Sequence, residues 1–477
     1  MTHPPGARPA EPTTILLDQA LAALAGGGGD LVGHANALGA SLHSPPRVVV
    51  LGRLKAGKST LVNALTHNLI AATATLECTN AVTVFHDGAP ARAEVVGLDG
   101  TRTRIDLVDG VLTELGRPVQ EVSHVDRFLP VAALRQLTLV DTPGIATLTV
   151  ENADATRRAL IDGEEQTARA SVDTDAAVFL FDSTPHADEV DFLAKLGFTP
   201  LNTIGVLSRA DGFGEGTFGR RDPLEHARAH ADVLARQLHG RVGRVLPVSG
   251  LMAESCRTGQ VTNSLARSLR SLAGLGREEL LDQLELEQPT RVSAAERDAL
   301  LDVLGEYGVM HGARVAAEGG AVALTRWMEE RSGIGALEQL LTRGLLRQAG
   351  HQRACRIVDG LERLAVSHPA REHVRTILQI LLSQPQMENV LLFRSFRGLM
   401  RSAPNSRLAP WVYESLVGVD PAGAVGLPPG TDRHQVREAV SGRLGELHQM
   451  AVLSLSAAEE DARIRLVPAL QRVLTTL

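Results

Sequence analysis

The chain has 477 residues, 44% of them hydrophobic and 22% charged, with 48 basic against 55 acidic side chains and a net charge of −7. Such a length allows two or three domains with full cores. Aromatic residues make up only 3% and the charge balance is acidic, which removes both base stacking and a uniform basic face; no nucleic-acid partner is expected.

Cys78, Cys256 and Cys355 are far apart, with neither a disulfide framework nor a zinc spacing, and this usage fits a reducing compartment. The Pro-rich start lacks the apolar core of a secretory signal. The runs RVVVL, AAVFLF and ILQILL fall far short of the roughly 20 residues that span a bilayer. The expectation is a cytoplasmic chain.

Residues 1–13 read as a disordered tail and 14–43 as a helical segment broken at Gly26 to Gly29. RVVVLG at 47–52 is a short β-branched run suited to a buried strand, and similar runs recur at 81–85, 137–141, 176–181, 202–208 and 244–249. Helical stretches such as KSTLVNALTHNLI and PLEHARAHADVLARQL separate several of them. This alternation predicts an α/β fold over 45–255, a doubly wound and mostly parallel sheet, with an inserted hairpin between 92 and 115. From 256 to 477 Leu, Ala, Arg and Glu recur at helical spacing, with breaks at Gly333, His368-Pro369, Pro385, Pro404 and 421–431. That pattern predicts an all-α bundle, onto which 14–43 is expected to pack.

The first strand runs straight into GRLKAGKS (52–59) and a helix, the strand–loop–helix context of a phosphate-binding loop. Glycines let the backbone N–H groups close around phosphate, so Gly52, Lys55, Ala56, Gly57, Lys58, Ser59 and Thr60 are expected to line the nucleotide. Lys58 would reach the β- and γ-phosphates and Ser59 would ligate Mg²⁺. The chain has only three lysines, Lys55, Lys58 and Lys195, against 45 arginines, so two lysines in one loop form a pointed concentration.

Downstream, LTLVDTPG places Asp141 to hold Mg²⁺ through water and the Gly144 N–H to meet the γ-phosphate. GVLSRAD follows. Its Ser208, Arg209 and Asp211 resemble the guanine motif [NT]-K-x-D, with Ser and Arg at the first two positions. Asp211 would accept from guanine N1–H and N2–H₂, which adenine cannot offer. PVSGL, with Ser249 and Gly250, sits where a further base-contacting strand end belongs. GTP with Mg²⁺ is the expected ligand pair. His226 and His230 stand four apart, but no carboxylate completes a metal motif, so they read as a solvated helix face.

GRLKAGKSTLVNAL, ATLECTNAVTVFHDG, LTLVDTPGIATLTVENADATR and NTIGVLSRAD together resemble the bacterial dynamin-like GTPases, in particular the actinobacterial group that includes the isoniazid-inducible mycobacterial proteins. The resemblance implies a GTPase head on a helical neck or stalk. It also implies hydrolysis of the β–γ phosphoanhydride coupled to assembly as a homo-oligomer or with a paralogue. Peripheral membrane remodelling by fission, fusion or tethering, at the inner face of the plasma membrane, would follow.

The same resemblance maps the switch threonine onto Thr79, with Thr73 and Thr75 as competitors, so that Ser59, Thr79 and Asp141 form the metal set. Cys78 beside Thr79 reads as an incidental small residue. Ile145 stands where small GTPases carry a water-orienting Gln and cannot hydrogen-bond. Lys55, at the position where relatives carry an internal arginine finger, is expected to supply the missing cation, giving a catalytic group of Lys55, Lys58, Ser59 and Thr79.

The expected lipid-contact tip is 389–407, with four arginines and Leu391, Leu392, Phe393 and Phe396; an ordinary bundle helix shows the same pattern. The alternative function is a regulatory or partner-dependent GTPase whose helical domain binds a protein or the ribosome.

Overall fold

Two helices precede the first strand, α1 (Pro12–Gly26) and α2 (Leu31–His43). Proline at the first turn of α1 costs no hydrogen bond there, and Gly28 and Gly29 take the positive φ of the turn that joins the pair. Residues 11–53, 55–69, 81–107, 112, 114–142 and 174–477 are described by this computed structural model. Thr73, Thr75, Cys78, Thr79, Gly144 and Ile145 lie outside them. The chain divides into two compact units: Pro45–Leu346, and the described part of Met1–Ser44 together with Arg347–Leu477.

The first unit holds β1 (Arg47–Gly52), β2 (Thr83–Asp87), β3 (Arg92–Gly97), β4 (Arg102–Ile105), β5 (Val122–Leu129), β6 (Thr138–Asp141), β7 (Ala176–Phe181), β8 (Thr203–Leu207) and β9 (Arg244–Pro247). They form one nine-stranded sheet in the order β4-β3-β5-β2-β6-β1-β7-β8-β9. The run β6-β1-β7-β8-β9 is parallel throughout, while β2 is antiparallel to β6 and the β3–β4 hairpin is antiparallel to β5. Both faces of β1 are covered, so Val48, Val49, Val50 and Leu51 are all buried; this is why the strand reads as a continuous apolar run. The helices of this unit are α3 (Lys58–Thr66), α4 (Ala187–Lys195), α5 (Pro223–Gln237), α6 (Gly250–Arg257), α7 (Asn263–Arg270), α8 (Arg277–Glu285), α9 (Ala294–Ser332) and α10 (Ile334–Gln339), with a π-helical turn at Leu340–Leu345.

α9 is not one rod. Gly305 and Gly320 leave helical geometry with φ of 65° and 66°. Beyond Gly305 the segment doubles back, bringing the Tyr307 and Trp327 rings into a stack at 6.2 Å and Gly312 against Leu324. One core cluster joins Val49, Leu51 and Phe179 of the sheet to Leu300, Leu304, Tyr307 and Met328 of α9. The change to all-α composition at 256 therefore marks where strands end, and the helices up to 346 pack in the same unit as the sheet.

The second unit adds α11 (Leu346–Ser367), α12 (Arg371–Leu382), α13 (Glu388–Ser402), α14 (Leu408–Val417), α15 (Arg433–Met450) and α16 (Ala457–Thr476) to α1 and α2. Here one expectation is corrected. The stretch offered as a lipid tip is α13, and its Leu391, Leu392, Phe393, Phe396, Leu399 and Met400 are buried inside the bundle. Arg394 is tied to Asp359 and Glu362 of α11. An amphipathic helix bound to a bundle and one bound to a bilayer carry the same periodicity, and here the bundle takes the apolar face. No helix among the described residues is long and apolar enough to cross a membrane.

Candidate functional site

β1 ends at Gly52, where an added Cβ would come within 2.6 Å of the Leu180 carbonyl of β7. This glycine is needed for close approach. Gly57 is needed for a different reason: space around it is open, but its φ is 93°, a conformation that favours glycine. It caps α3 without any side-chain hydrogen bond, and α3 has no acid in its first turn. The N-terminal N–H groups of α3 and its dipole thus face the loop without a carboxylate to satisfy them.

Between the glycines the loop turns back on itself. Ala56 N–H donates to the Arg53 carbonyl at 3.2 Å, and Lys55 takes φ of 64°, unusual for a side chain of its size. Lys58 is buried and its Nζ donates to the carbonyls of Gly52 (3.1 Å) and Arg53 (2.9 Å). Burial lowers its pKa from the usual lysine range, and the charge of Asp141 pulls it back up. Lys55 is exposed, while Ser59 and Thr60 are half-buried on the first turn of α3.

Asp141 closes β6 beside β1, in register with Val50. Thr142 locks this strand end by donating from its hydroxyl to the Val50 carbonyl at 2.8 Å. Burial pushes the Asp141 carboxyl up to about 6, despite the opposing attraction of Lys58. Its Oδ1 is shielded from solvent and has no hydrogen-bond partner among the described residues. An orphaned carboxylate oxygen is costly unless something binds it, and a hydrated divalent cation fits that oxygen. Among the described residues no group of three or more His, Cys, Asp or Glu gathers as a metal site of its own.

The end of β8 supplies the other half of the cleft. Ser208 is fixed by its N–H and hydroxyl, both on the Phe181 carbonyl at 2.8 and 3.3 Å. Arg209 takes the left-handed conformation and donates from Nη2 to the Lys55 carbonyl at 2.8 Å. The SRAD stretch and the GRLKAGKS loop are therefore joined by a direct hydrogen bond. Asp211 is half-buried, and the backbone of α9 passes it at Gly305, where an added Cβ would lie 3.7 Å from Asp211 Oδ2. Ser249 is fully buried and spends its hydroxyl capping α6 through the Met252 N–H. Gly250 lies against Thr60.

Three further contacts escape a reading of the sequence. Arg53 Nε lies 3.2 Å from Glu189 Oε1, an acid only 1% exposed whose other oxygen accepts from the His186 N–H. Asn63 of α3 donates to Glu254 of α6 at 2.6 Å. Arg257 of α6 reaches Glu329 of α9 at 2.5 Å and Glu338 of α10 at 2.8 Å. Only the acid three residues into α4 had a local signature, that of a helix cap; the pairings link residues about 70 to 190 positions apart, which no local pattern encodes.

His226 and His230 flank the Phe213 ring at 5.0 and 5.1 Å, an aromatic contact where a solvated face was expected. Cys256 and Cys355 are buried free thiols, pushed up to about 12 and about 11, chiefly by burial.

The model of the dynamin family matches residues 48–197. The isoniazid-induced protein IniC of Mycobacterium tuberculosis is 31% identical over 444 residues, covering 87% of this chain and 86% of IniC. The chain belongs to the dynamin family. It is an actinobacterial dynamin-like protein, similar along most of its length to IniC. The isoniazid-induced protein IniA of the same organism is 36% identical over a shorter stretch, 23% of this chain and 19% of IniA. A solved structure described as part of an oligomerised bacterial dynamin pair that senses and tethers membranes aligns over 97% of this chain and 67% of its own, at 14% identity and a TM-score of 0.33; the score is too low to carry a structural argument.

Proposed function

We propose that this dynamin-like protein binds GTP with Mg²⁺, hydrolyses its β–γ phosphoanhydride, and couples the reaction to self-assembly and peripheral membrane remodelling. The observation that carries the nucleotide half is the pair formed by Lys58 and Asp141: a buried ammonium held on two loop carbonyls, next to a carboxylate oxygen with no hydrogen-bond partner among the described residues. Family membership carries the membrane half.

In this reading Lys58 leaves the Gly52 and Arg53 carbonyls for the β- and γ-phosphates, and the N–H groups of Gly57, Lys58, Ser59 and Thr60 close around them. Ser59, Asp141 and Thr79 would hold Mg²⁺, Asp141 through water, and the Gly144 N–H would meet the γ-phosphate; Thr79 and Gly144 lie outside the described residues. The metal would supply positive charge against the phosphate oxygens. Asp211 selects guanine, and Arg209 packs its planar guanidinium along the base while keeping its hold on Lys55. Ser208, Ser249 and Gly250 shape the cleft as backbone supports; the hydroxyl of Ser249 already serves as a helix cap.

The Lys55 ammonium provides the cation that stabilises charge growing between the β- and γ-phosphates. Its constrained backbone and the Arg209 bond pre-set the turn, so little reorganisation accompanies reaction. The decisive test is turnover of GTP by the purified protein, with ATP as control, in the presence and absence of anionic liposomes. GTP-selective turnover stimulated by liposomes is the expected result; preference for ATP would overturn the assignment of Asp211.

A further inference from the structure

The second unit has a polarised end. The Cys355 thiol lies 3.6 Å from the Val390 carbonyl and Arg394 bonds to Glu362 at 2.7 Å, so α11 and α13 run in the same direction. Ser395 meets Asp461 and Arg472 meets Glu388, so α16 runs against them. His368 joins Asp30 at 3.0 Å. The turns 26–30, 367–370, 403–407 and 451–456 are consequently gathered at one end. The opposite end holds Ser44, whose carbonyl accepts from Arg353, and the connection 418–432.

The turn between α15 and α16 carries no charged residue from Gln449 to Ala458. It presents Val452 at 87% and Leu453 at 60% exposure, side by side. Val366, 75% exposed, lies in the last turn of α11 at the same end. The acids around it are occupied: Asp30 by His368, Glu372 by Arg375, Glu446 by Arg407, and Glu459 by the Ser456 N–H and hydroxyl. Arg401, exposed in the last turn of α13, has no acidic partner among the described residues. An apolar point with an unmatched arginine at the same end suits an anionic bilayer, in which aliphatic side chains enter the acyl boundary while guanidinium meets phosphate. A second copy of the chain fits less well, because two aliphatic side chains offer far less than the ~800 Å² per partner of a standard interface.

We propose that the α15–α16 turn, with Val452 and Leu453 as its wedge and Arg401 at the same end of the unit, is the lipid-contact point of this protein. The proposal rests on the membrane half of the function above and places the contact about 50 residues beyond α13.

The test is co-sedimentation of the full chain with phosphatidylcholine–phosphatidylglycerol vesicles. Val452→Asp combined with Leu453→Asp should lower the bound fraction about tenfold or more, since two buried aliphatic contacts are replaced by charges. Val419→Asp, at an equally exposed valine (86%) of the opposite end, should stay within about twofold of the parent protein. Leu453→Trp should show a blue-shifted emission on vesicle addition beyond that of Trp327 and Trp411. If the parent protein sediments and the double variant does so equally, or the Leu453→Trp emission is unmoved, this turn is not the contact. If the parent protein itself does not sediment, the membrane half of the proposed function fails with it, while GTP turnover without vesicles tests the nucleotide half separately.

Discussion

The guanidinium of Arg209 donates to the backbone carbonyl of Lys55 at 2.8 Å, although the two residues are 154 positions apart. In the function proposed above Arg209 stands where the guanine motif usually has lysine, so one side chain would link the base end of the site to the cation proposed for the phosphate end.

This link separates two roles. Lys55→Ala should reduce GTP turnover on the order of 100-fold and leave the Kd for nucleotide within about threefold, the pattern of a group that acts on the transition state. Arg209→Ala should weaken nucleotide binding by about three- to tenfold, since a charged hydrogen bond that holds the loop is lost, and lower turnover as well. Fluorescent-nucleotide titration with single-turnover kinetics distinguishes them; equal losses of binding and turnover for Lys55→Ala would remove its catalytic role.

The Asp141 carboxyl, raised by burial from 3.8 to about 6, gives a pH signature. A carboxyl raised in the folded state adds stability below pH 3.8 that is lost as pH climbs through about 6. At pH 8 the ligand-free protein therefore holds an unfavourable buried charge. Asp141→Asn should stabilise it by roughly 2 kcal/mol there and abolish the Mg²⁺ dependence of nucleotide binding. Thermal melts at pH 5 and pH 8 check this: the gain should shrink to about half at the lower pH and vanish only as pH falls below 3.8.

Arg257 ties α6 to α9 and α10. Burial pulls Glu329 upward, but its bonds to Arg257 outweigh that and keep its carboxyl below the usual 4.5. The contribution of this pair is present above pH 4.5 and is lost as pH falls through the lowered value. Arg257→Ala leaves two acids facing each other without their cation and should cost about 2 kcal/mol near neutrality, discounted because both acids are partly exposed. Urea denaturation at pH 7 and pH 4 should show the deficit shrinking on acidification.

Phe393 is fully buried in α13. Phe393→Ala should destabilise the helical unit by about 3–5 kcal/mol and expose bundle surface to dye binding. Retained stability with lost vesicle binding would restore α13 as the lipid contact.

Much of the head was legible because its signals are local. The runs at 48–51 and 176–181 are apolar end to end, as strands covered on both faces must be, and GRLKAGKS turns where its glycines permit. β5 was not anticipated, because VSHVDRFL hides its alternation behind His124 and Asp126, polar residues that pair with each other and with His86 and Arg102 of nearby strands. α13 was misread for the converse reason: helical periodicity tells which face is apolar and not what covers it. The contacts of Arg53 with Glu189 and of Arg257 with Glu329 depend on tertiary proximity alone.

The helical unit is made from two stretches of chain, with some three hundred residues of sheet-containing unit between them. During synthesis α1 and α2 leave the ribosome before the sheet-containing unit, yet α12, against which α1 packs, and Arg353, which holds the carbonyls of Leu42 and Ser44, follow only after it. α1 and α2 can pack on each other at once, with Leu21 against Gly39, but the face of α1 that meets α12 must wait uncovered while the sheet-containing unit is made. The nascent chain would thus acquire its nucleotide-binding unit before its proposed lipid-contact turn, and a chain that stops early would carry an apolar hairpin with nothing to close over it.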